Sequence, residues 1–207
     1  MGIIHKSQTA INETKKVFQN YKQRKQEKSP LKNKFYILGF PKCGSSSLEK
    51  YLKDKGFDII REESIYRNSL CIPKYKLQYP NYQTLFVMRE PIQRIWSHYN
   101  YKRYYQKGDR NEIFCSFEEA LEKHPEIVDP SDYEKWLKKW QSTKPVIVKL
   151  EDLIKINDFP MINTTEKNLI SNEQKQLIIH ACKKLGFDPA NYEQFQHTSV
   201  ESFLNSY

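Results

Sequence analysis

The stretch FYILGFPKCGSSSLEKYL, Phe35 to Leu52, constrains the fold more than any other part of the chain. Apolar and aromatic residues open it, two glycines and three consecutive serines follow, and an amphipathic run closes it. A short apolar run that passes through a glycine-rich turn into a helical pattern is a strand–loop–helix unit. A strand apolar on both faces belongs inside a parallel sheet covered by helices. Phe35–Phe40 is therefore expected as a strand, and Ser47–Lys55 as a helix closed by Gly56.

The alternation continues. Phe57–Ile60, Thr84–Met88 ("TLFVM") and Pro145–Leu150 ("PVIVKL") read as strands. Pro91 to about Tyr105 reads as a helix, since proline suits the first helical turn. Phe117–Lys123, Tyr133–Gln141 and Asn172–Leu185 also read as helices. Residues 61–83, Gly108–Asn111 and 125–132 read as irregular. Trp136 and Trp140 lie four apart on one helix face and are expected in the core. Ile11, Thr14, Val17, Phe18 and Tyr21 recur at helical spacing within 8–27, and Ser29-Pro30 ends that segment. The prediction is an α/β, P-loop-like, three-layer fold with a central parallel sheet of about four to five strands flanked by helices. Its ligand would sit at the carboxyl ends of the strands. A basic helical arm (1–30) precedes a single α/β domain (31–207).

The chain has 207 residues, enough for one domain with a substantial core, and 14 Tyr and 11 Phe supply that core despite a mean hydropathy of -0.80. A formal net charge of +9 raises the question of a nucleic-acid partner. The distribution argues against one. Residues 1–34 hold nine Lys/Arg and two Glu, whereas the remainder is nearly balanced, with 25 basic and 23 acidic residues. The excess belongs to the arm, as a solvated helix face whose apolar stripe docks on the body or on another subunit of a homo-oligomer. No run approaches the roughly 18–20 apolar residues of a membrane span. The opening residues lack an apolar signal region, and Lys6 stands where a myristoylation signal needs Ser or Thr. Cys43, Cys71, Cys115 and Cys182 are far apart and form no C-x-x-C pair, so neither a metal site nor a disulfide framework is expected. These features together predict a cytoplasmic protein.

Gly39 and Gly44 have the spacing of the Walker loop, G-x-x-x-x-G-K-[ST], but Ser45 and Ser46 follow Gly44 and the lysine lies inside the loop, at Lys42. The physics survives this change. Successive backbone N–H groups and a helix N-terminus make an anion cradle, serine hydroxyls add donors, and a lysine adds a point charge. The second segment, "MREPIQRIWSHY" (88–99), follows a buried strand directly. Arg89 would emerge at that strand's carboxyl end, with Ser97 about two helical turns further on. A guanidinium and a hydroxyl can together grip a second phosphate.

The two segments resemble the sulfotransferases that use 3′-phosphoadenosine 5′-phosphosulfate (PAPS). Pro41, Lys42, Gly44, Ser45, Ser46 and Leu48 match P-K-x-G-[ST]-[ST]-x-L. Arg89, Pro91, Arg94, Ser97 and Tyr99 match R-x-P-x-x-R-x-x-S-x-Y, about 40–50 residues on. "VIVKLEDL" (146–153) and "KKLGFDPANYE" (183–193) resemble later family segments, so the similarity spans about residues 35–193. It implies that Lys42 contacts the 5′-phosphosulfate and steadies the leaving phosphate. Cys43, Gly44, Ser45, Ser46 and Ser47 would belong to the cradle around it. Arg89 and Ser97 would hold the 3′-phosphate, and no metal would be needed. The product nucleotide would be 3′,5′-adenosine bisphosphate.

An acceptor hydroxyl also needs a base. Carbohydrate-modifying members of the family carry a catalytic Glu in a Glu-x-x-aromatic or Glu-x-x-His setting. Glu63, three before Tyr66, matches that setting best, with Glu62 second. The cytosolic small-molecule branch instead places a His in a Lys-x-His run before its third strand, and "IPKYKLQYPNYQ" (72–83) has none. That branch's Arg-Lys-Gly run is absent from 186–207, and Leu48 replaces its aromatic residue. The carbohydrate branch's Lys-Thr-Pro is also missing, with Cys71-Ile72-Pro73 in its place. Arg67, Arg103 or the basic arm could complete the 3′-phosphate site. The aromatic stretch "WSHYNYKRYY" (96–105) could stack bases or sugars, or pack in the core. The expected partner is a hydroxyl-bearing acceptor, a glycan or small alcohol. Two other readings stand beside this one: an ATP-dependent kinase, against which Ser45 argues, and a non-catalytic nucleotide- or polyanion-binding protein.

Overall fold

The computed structural model describes residues 34–38, 40–62, 79, 81–104, 115–161, 169–198 and 202. Among them, four strands form one sheet: β1 (Lys34–Leu38), β2 (Asp58–Glu62), β3 (Gln83–Met88) and β4 (Val146–Lys149). Their order is β2-β1-β3-β4, and every pairing is parallel. Phe35–Leu38 and Leu85–Met88 are fully buried, which is why these strands are apolar at consecutive positions rather than at alternate ones.

Helices flank the sheet. α1 (Ser45–Asp54) connects β1 to β2, and its Leu48, Tyr51 and Leu52 are buried in the sheet core. α2 (Pro91–Tyr104) follows β3. α3 (Phe117–Lys123), α4 (Pro125–Val128) and α7 (Asn172–Lys184) pack with α2 around a second apolar cluster, made of Ile95, Tyr99, Phe117, Ala120, Leu121, Ile127, Val128, Ile178 and Cys182. α5 (Tyr133–Trp140) buries Trp136 and Trp140 in the sheet core, Trp140 stacking on Tyr36 with ring centroids 6.4 Å apart. α6 (Leu150–Leu153) follows β4 without a break. Beyond the 3-10 turn Pro189–Gln194, the Thr198 N–H donates to Ile147 O at 3.0 Å, so this segment runs along the outer edge of β4.

Most expected boundaries hold to within two residues. Residues 125–132 differ: the expected loop is α4 followed by a 3-10 turn (Asp129–Ser131). Pro125 opens that helix, and the burial of Ile127 and Val128 in the second cluster holds it. Similarly, the last strand stops at Lys149 and Leu150 begins a helix, while α1 begins at Ser45 rather than Ser47. The arm helix (8–27) and the Gly108–Asn111 loop fall outside the described residues.

The strand order reverses direction at β1. From β1 the chain moves to β2 on one side, and β3 then pairs with the other side of β1. The connections beyond β1 and β3 therefore diverge, leaving a crevice at their carboxyl ends. The loop 40–44 and Arg89-Glu90 flank this crevice.

Candidate functional site

The loop after β1 closes by a turn, in which the Cys43 N–H donates to Phe40 O at 3.3 Å. Two consecutive constraints shape the rest. Lys42 adopts φ +66° and Gly44 φ +82°, both in the left-handed region. Gly44 is required: a Cβ there would lie 2.5 Å from Leu150 Cδ1. Lys42 has no such reason to be the residue it is, since glycine would adopt its conformation at lower cost. Gly44 is the N-cap of α1, and the first helical bond runs from Leu48 N–H to Gly44 O at 3.0 Å. Helix geometry gives the N–H groups of Ser45, Ser46 and Ser47 no acceptor within the helix. Ser45 and Ser47 are buried, whereas Ser46 is partly exposed.

α2 presents a stripe to this loop. Arg94, Ser97 and Tyr101 are spaced three and four apart, so they share one face. Arg94 Nη1 donates to Pro41 O at 3.1 Å, and Lys42 Nζ lies 4.3 Å from the centre of the Tyr101 ring. Ser97, buried between them on the same stripe, is therefore brought to the loop side. Arg89 arrives from the end of β3, where Nη1 donates to Lys42 O at 3.1 Å. Lys42 and Arg89, from two sequence segments, thus meet at the carboxyl end of the sheet, and Ser97 lies on the α2 face that carries Arg94 and Tyr101.

The two helix N-termini at this edge differ. Glu90 closes α2: its Oε1 accepts from Ile92 N–H at 3.0 Å and its Oε2 from Gln93 N–H at 2.7 Å. A carboxylate already occupies that positive end. At α1 the N-cap is Gly44, with no side chain to act as a cap, so its leading amides are the ones suited to an external anion.

A network beneath the crevice was not visible as function in the sequence. Tyr133 OH donates to Arg89 O at 2.7 Å and accepts from Arg89 N–H at 3.1 Å. With the phenol proton committed to Arg89 O, Cys43 Sγ, 3.5 Å away, is the donor in its contact with Tyr133. Burial raises the Cys43 thiol pKa, against the pull of Arg94, and burial holds the Tyr133 phenol well above its usual value. Both are neutral at physiological pH. Cys43 contributes to the loop through its inward packing, its amide being used by Phe40. Glu151 of α6 accepts from the Glu90 N–H at 2.9 Å and from Tyr192 OH at 2.6 Å, tying α2 and the 189–194 turn to the end of β4. Buried Lys149 lies over the Tyr192 ring at 4.5 Å.

The remaining candidates separate. Glu62 is the last residue of β2 and pairs with Leu38, at the carboxyl edge of the sheet. Glu63, with Tyr66, Arg67 and Cys71, falls outside the described residues. Arg103 Nη1 donates to Tyr99 OH at 2.7 Å, bracing α2. Of the stretch 96–105, Tyr99 is buried in the second core and Tyr101 is the ring that meets Lys42. The signal for Tyr101 was its place four residues after Ser97. His197 Nε2 pairs with Asp152 at 2.7 Å, and His98 is buried within α2. Among the described residues, no group of three His, Cys, Asp or Glu side chains is placed to hold a metal ion, and no helix is long and apolar enough to cross a membrane.

No protein-family model, no curated protein and no solved structure matches this chain.

Proposed function

We propose that this chain is a PAPS-dependent sulfotransferase with a P-loop-like arrangement of its sheet, acting on a hydroxyl of a glycan or small alcohol. The observation that carries the reading is the bond from Arg89 Nη1 to Lys42 O, 3.1 Å long. It joins the two sequence segments whose pairing suggested a two-phosphate nucleotide. Lys42, Arg89, the leading amides of α1 and the Ser46 and Ser97 hydroxyls form a donor set suited to two separate phosphate groups.

When bound, the nucleotide supplies the transferable sulfuryl group and a phosphate leaving group. The protein's task is then alignment and charge stabilisation, as in phosphoryl transfer. The α1 amides and Ser46 hold the phosphosulfate end. The Lys42 ammonium balances negative charge gathering on the leaving oxygen. Arg89 and Ser97 hold the 3′-phosphate and so fix the in-line direction. Glu63 takes the proton from the acceptor hydroxyl.

The test is calorimetric titration with 3′,5′-adenosine bisphosphate and with ATP, both without magnesium. Preference for the bisphosphate, lost in Arg89→Ala, is the expected result, followed by sulfate transfer to a screened acceptor that Lys42→Ala and Glu63→Gln abolish. Preference for ATP would favour the kinase reading. Bisphosphate binding without turnover on any acceptor would leave a nucleotide-binding protein.

A further inference from the structure

Arg94 is the one fully buried arginine among the described residues. Its Nε donates to Ser131 Oγ at 2.5 Å, its Nη1 to Pro41 O at 3.1 Å, and its Nη2 to Ile127 O. All three acceptors are neutral. No carboxylate among the described residues comes within ion-pair distance of the guanidinium. The described titratable groups around it form no direct ion pair with it. Burial keeps Cys43 and Tyr133 neutral and pushes the Cys182 thiol up to about 12. The carboxylates of Glu90, Glu151, Asp132 and Asp129 keep their charge but bond elsewhere, Glu90 to the amides of α2, Glu151 to the Glu90 amide and Tyr192, Asp132 to the Lys135 amide and Asp129 to the Lys135 ammonium, and none pairs with the guanidinium. Arg89, on the loop side, adds further positive charge.

A buried cation without a counter-ion is costly, and satisfying its donors with carbonyls leaves the charge itself uncompensated. A charge held in a low-dielectric interior also acts over a longer range than one on an exposed side chain. Arg94 bonds to the carbonyl of the residue directly before Lys42, so its charge lies immediately beneath the loop.

We infer that Arg94 is a second, buried cation of the phosphate loop: it holds Pro41 in place and strengthens the loop's grip on polyanions without touching them. The bound ligand supplies a counter-charge that no described residue places beside the guanidinium. Arg94 is thus a positioning residue acting through field and loop. The inference rests on reading the loop as an anion cradle, not on sulfuryl transfer.

Two substitutions separate charge from bracing. Arg94→Lys keeps the charge and loses the fork, whereas Arg94→Gln keeps a donor and loses the charge. The full chain and both variants are titrated with 3′,5′-adenosine bisphosphate and with adenosine 5′-monophosphate, and circular dichroism reports their folding. Arg94→Gln should weaken the bisphosphate about tenfold and the less charged monophosphate about threefold. Arg94→Lys should stay within about threefold at pH 7, then lose affinity between about pH 7 and 9.5 as the buried ammonium gives up its proton. The parent protein should keep its affinity over that range, because a guanidinium does not deprotonate. Should Arg94→Gln fail to fold, the Arg94→Lys pH profile decides alone. Equal losses for both ligands, or a flat Arg94→Lys profile, would reduce Arg94 to a mechanical brace and overturn the inference while the cradle stands. Parent protein that binds neither nucleotide would overturn the cradle and the inference with it.

Discussion

At the scale of the residue, Lys42 is informative because its backbone is strained. A lysine at φ +66° occupies a region that glycine adopts freely, so the backbone at this position costs stability. Lys42→Gly should therefore raise stability by about 1 kcal/mol while weakening anion binding. Thermal unfolding and bisphosphate titration of the same sample check both halves, and a variant losing both would show the lysine side chain to be structural. Tyr133 is the complementary case. Its hydroxyl serves both backbone groups of Arg89 and meets the Cys43 thiol, all in a buried setting. Tyr133→Phe leaves these groups unsatisfied and should cost about 1–3 kcal/mol in stability by urea unfolding. It should also lower bisphosphate affinity, since the Arg89 backbone is no longer held.

At the scale of the element, the loop between β1 and α1 is shaped by a contact with the far end of the sheet. Gly44→Ala would bring a Cβ to 2.5 Å from Leu150 Cδ1 and force a non-glycine residue to φ +82°. The expected loss is at least about 2 kcal/mol, combining overpacking and backbone strain. Leu150→Ala in the same chain should restore only the steric share, so the double variant should be more stable than additivity predicts and still weaker than the parent. Urea unfolding of the four proteins of this cycle measures it, and strict additivity would mean that Leu150 does not constrain the loop. The strands and longer helices were readable because their patterns are local: continuous apolar runs for β1 and β3, and proline at the start of α2. The helix at 125–128 was hidden because four residues carry too little periodicity, and the cluster that buries Ile127 and Val128 lies mostly on other helices.

At the scale of the whole molecule, acid stability depends on ion pairs between elements. Burial would raise the Glu49 carboxyl, but Lys53 and Arg61 outweigh it and hold the group below its usual 4.5. Burial likewise acts on Asp152, and Lys155 with His197 overcomes it. Arg61 lies on β2 and Glu49 on α1, with Nε to Oε2 at 2.5 Å, while His197 ties the C-terminal segment to α6. A carboxyl lowered in the folded state stabilises above its unfolded pKa, and that stability is lost as pH falls through the folded value. Asp132, raised by burial, opposes this slightly. The thermal midpoint should hold between about pH 6 and 8 and fall below about pH 4.5. Glu49→Gln should start lower and fall less steeply, and an unchanged acid slope in that variant would remove this pair from the account.

The sequence by itself determined the α/β class, the positions of β1, β3 and α1, and the pairing of a lysine-bearing loop with Arg89. These depend on neighbouring residues: apolar continuity, glycine at a turn, proline at a helix start. It also put forward Glu63, which lies beyond the described part of the structure. Only the tertiary structure decided which side chains meet. It brought Arg89 onto the Lys42 carbonyl, Tyr101 under the Lys42 ammonium and Tyr133 beneath both segments, from as far as 90 residues away in sequence. It also left Arg94 charged, enclosed and, among the described residues, without a carboxylate partner. The physical reason is that burial and charge compensation are properties of the neighbours that packing supplies, and no local pattern around Arg94 records which neighbours those are.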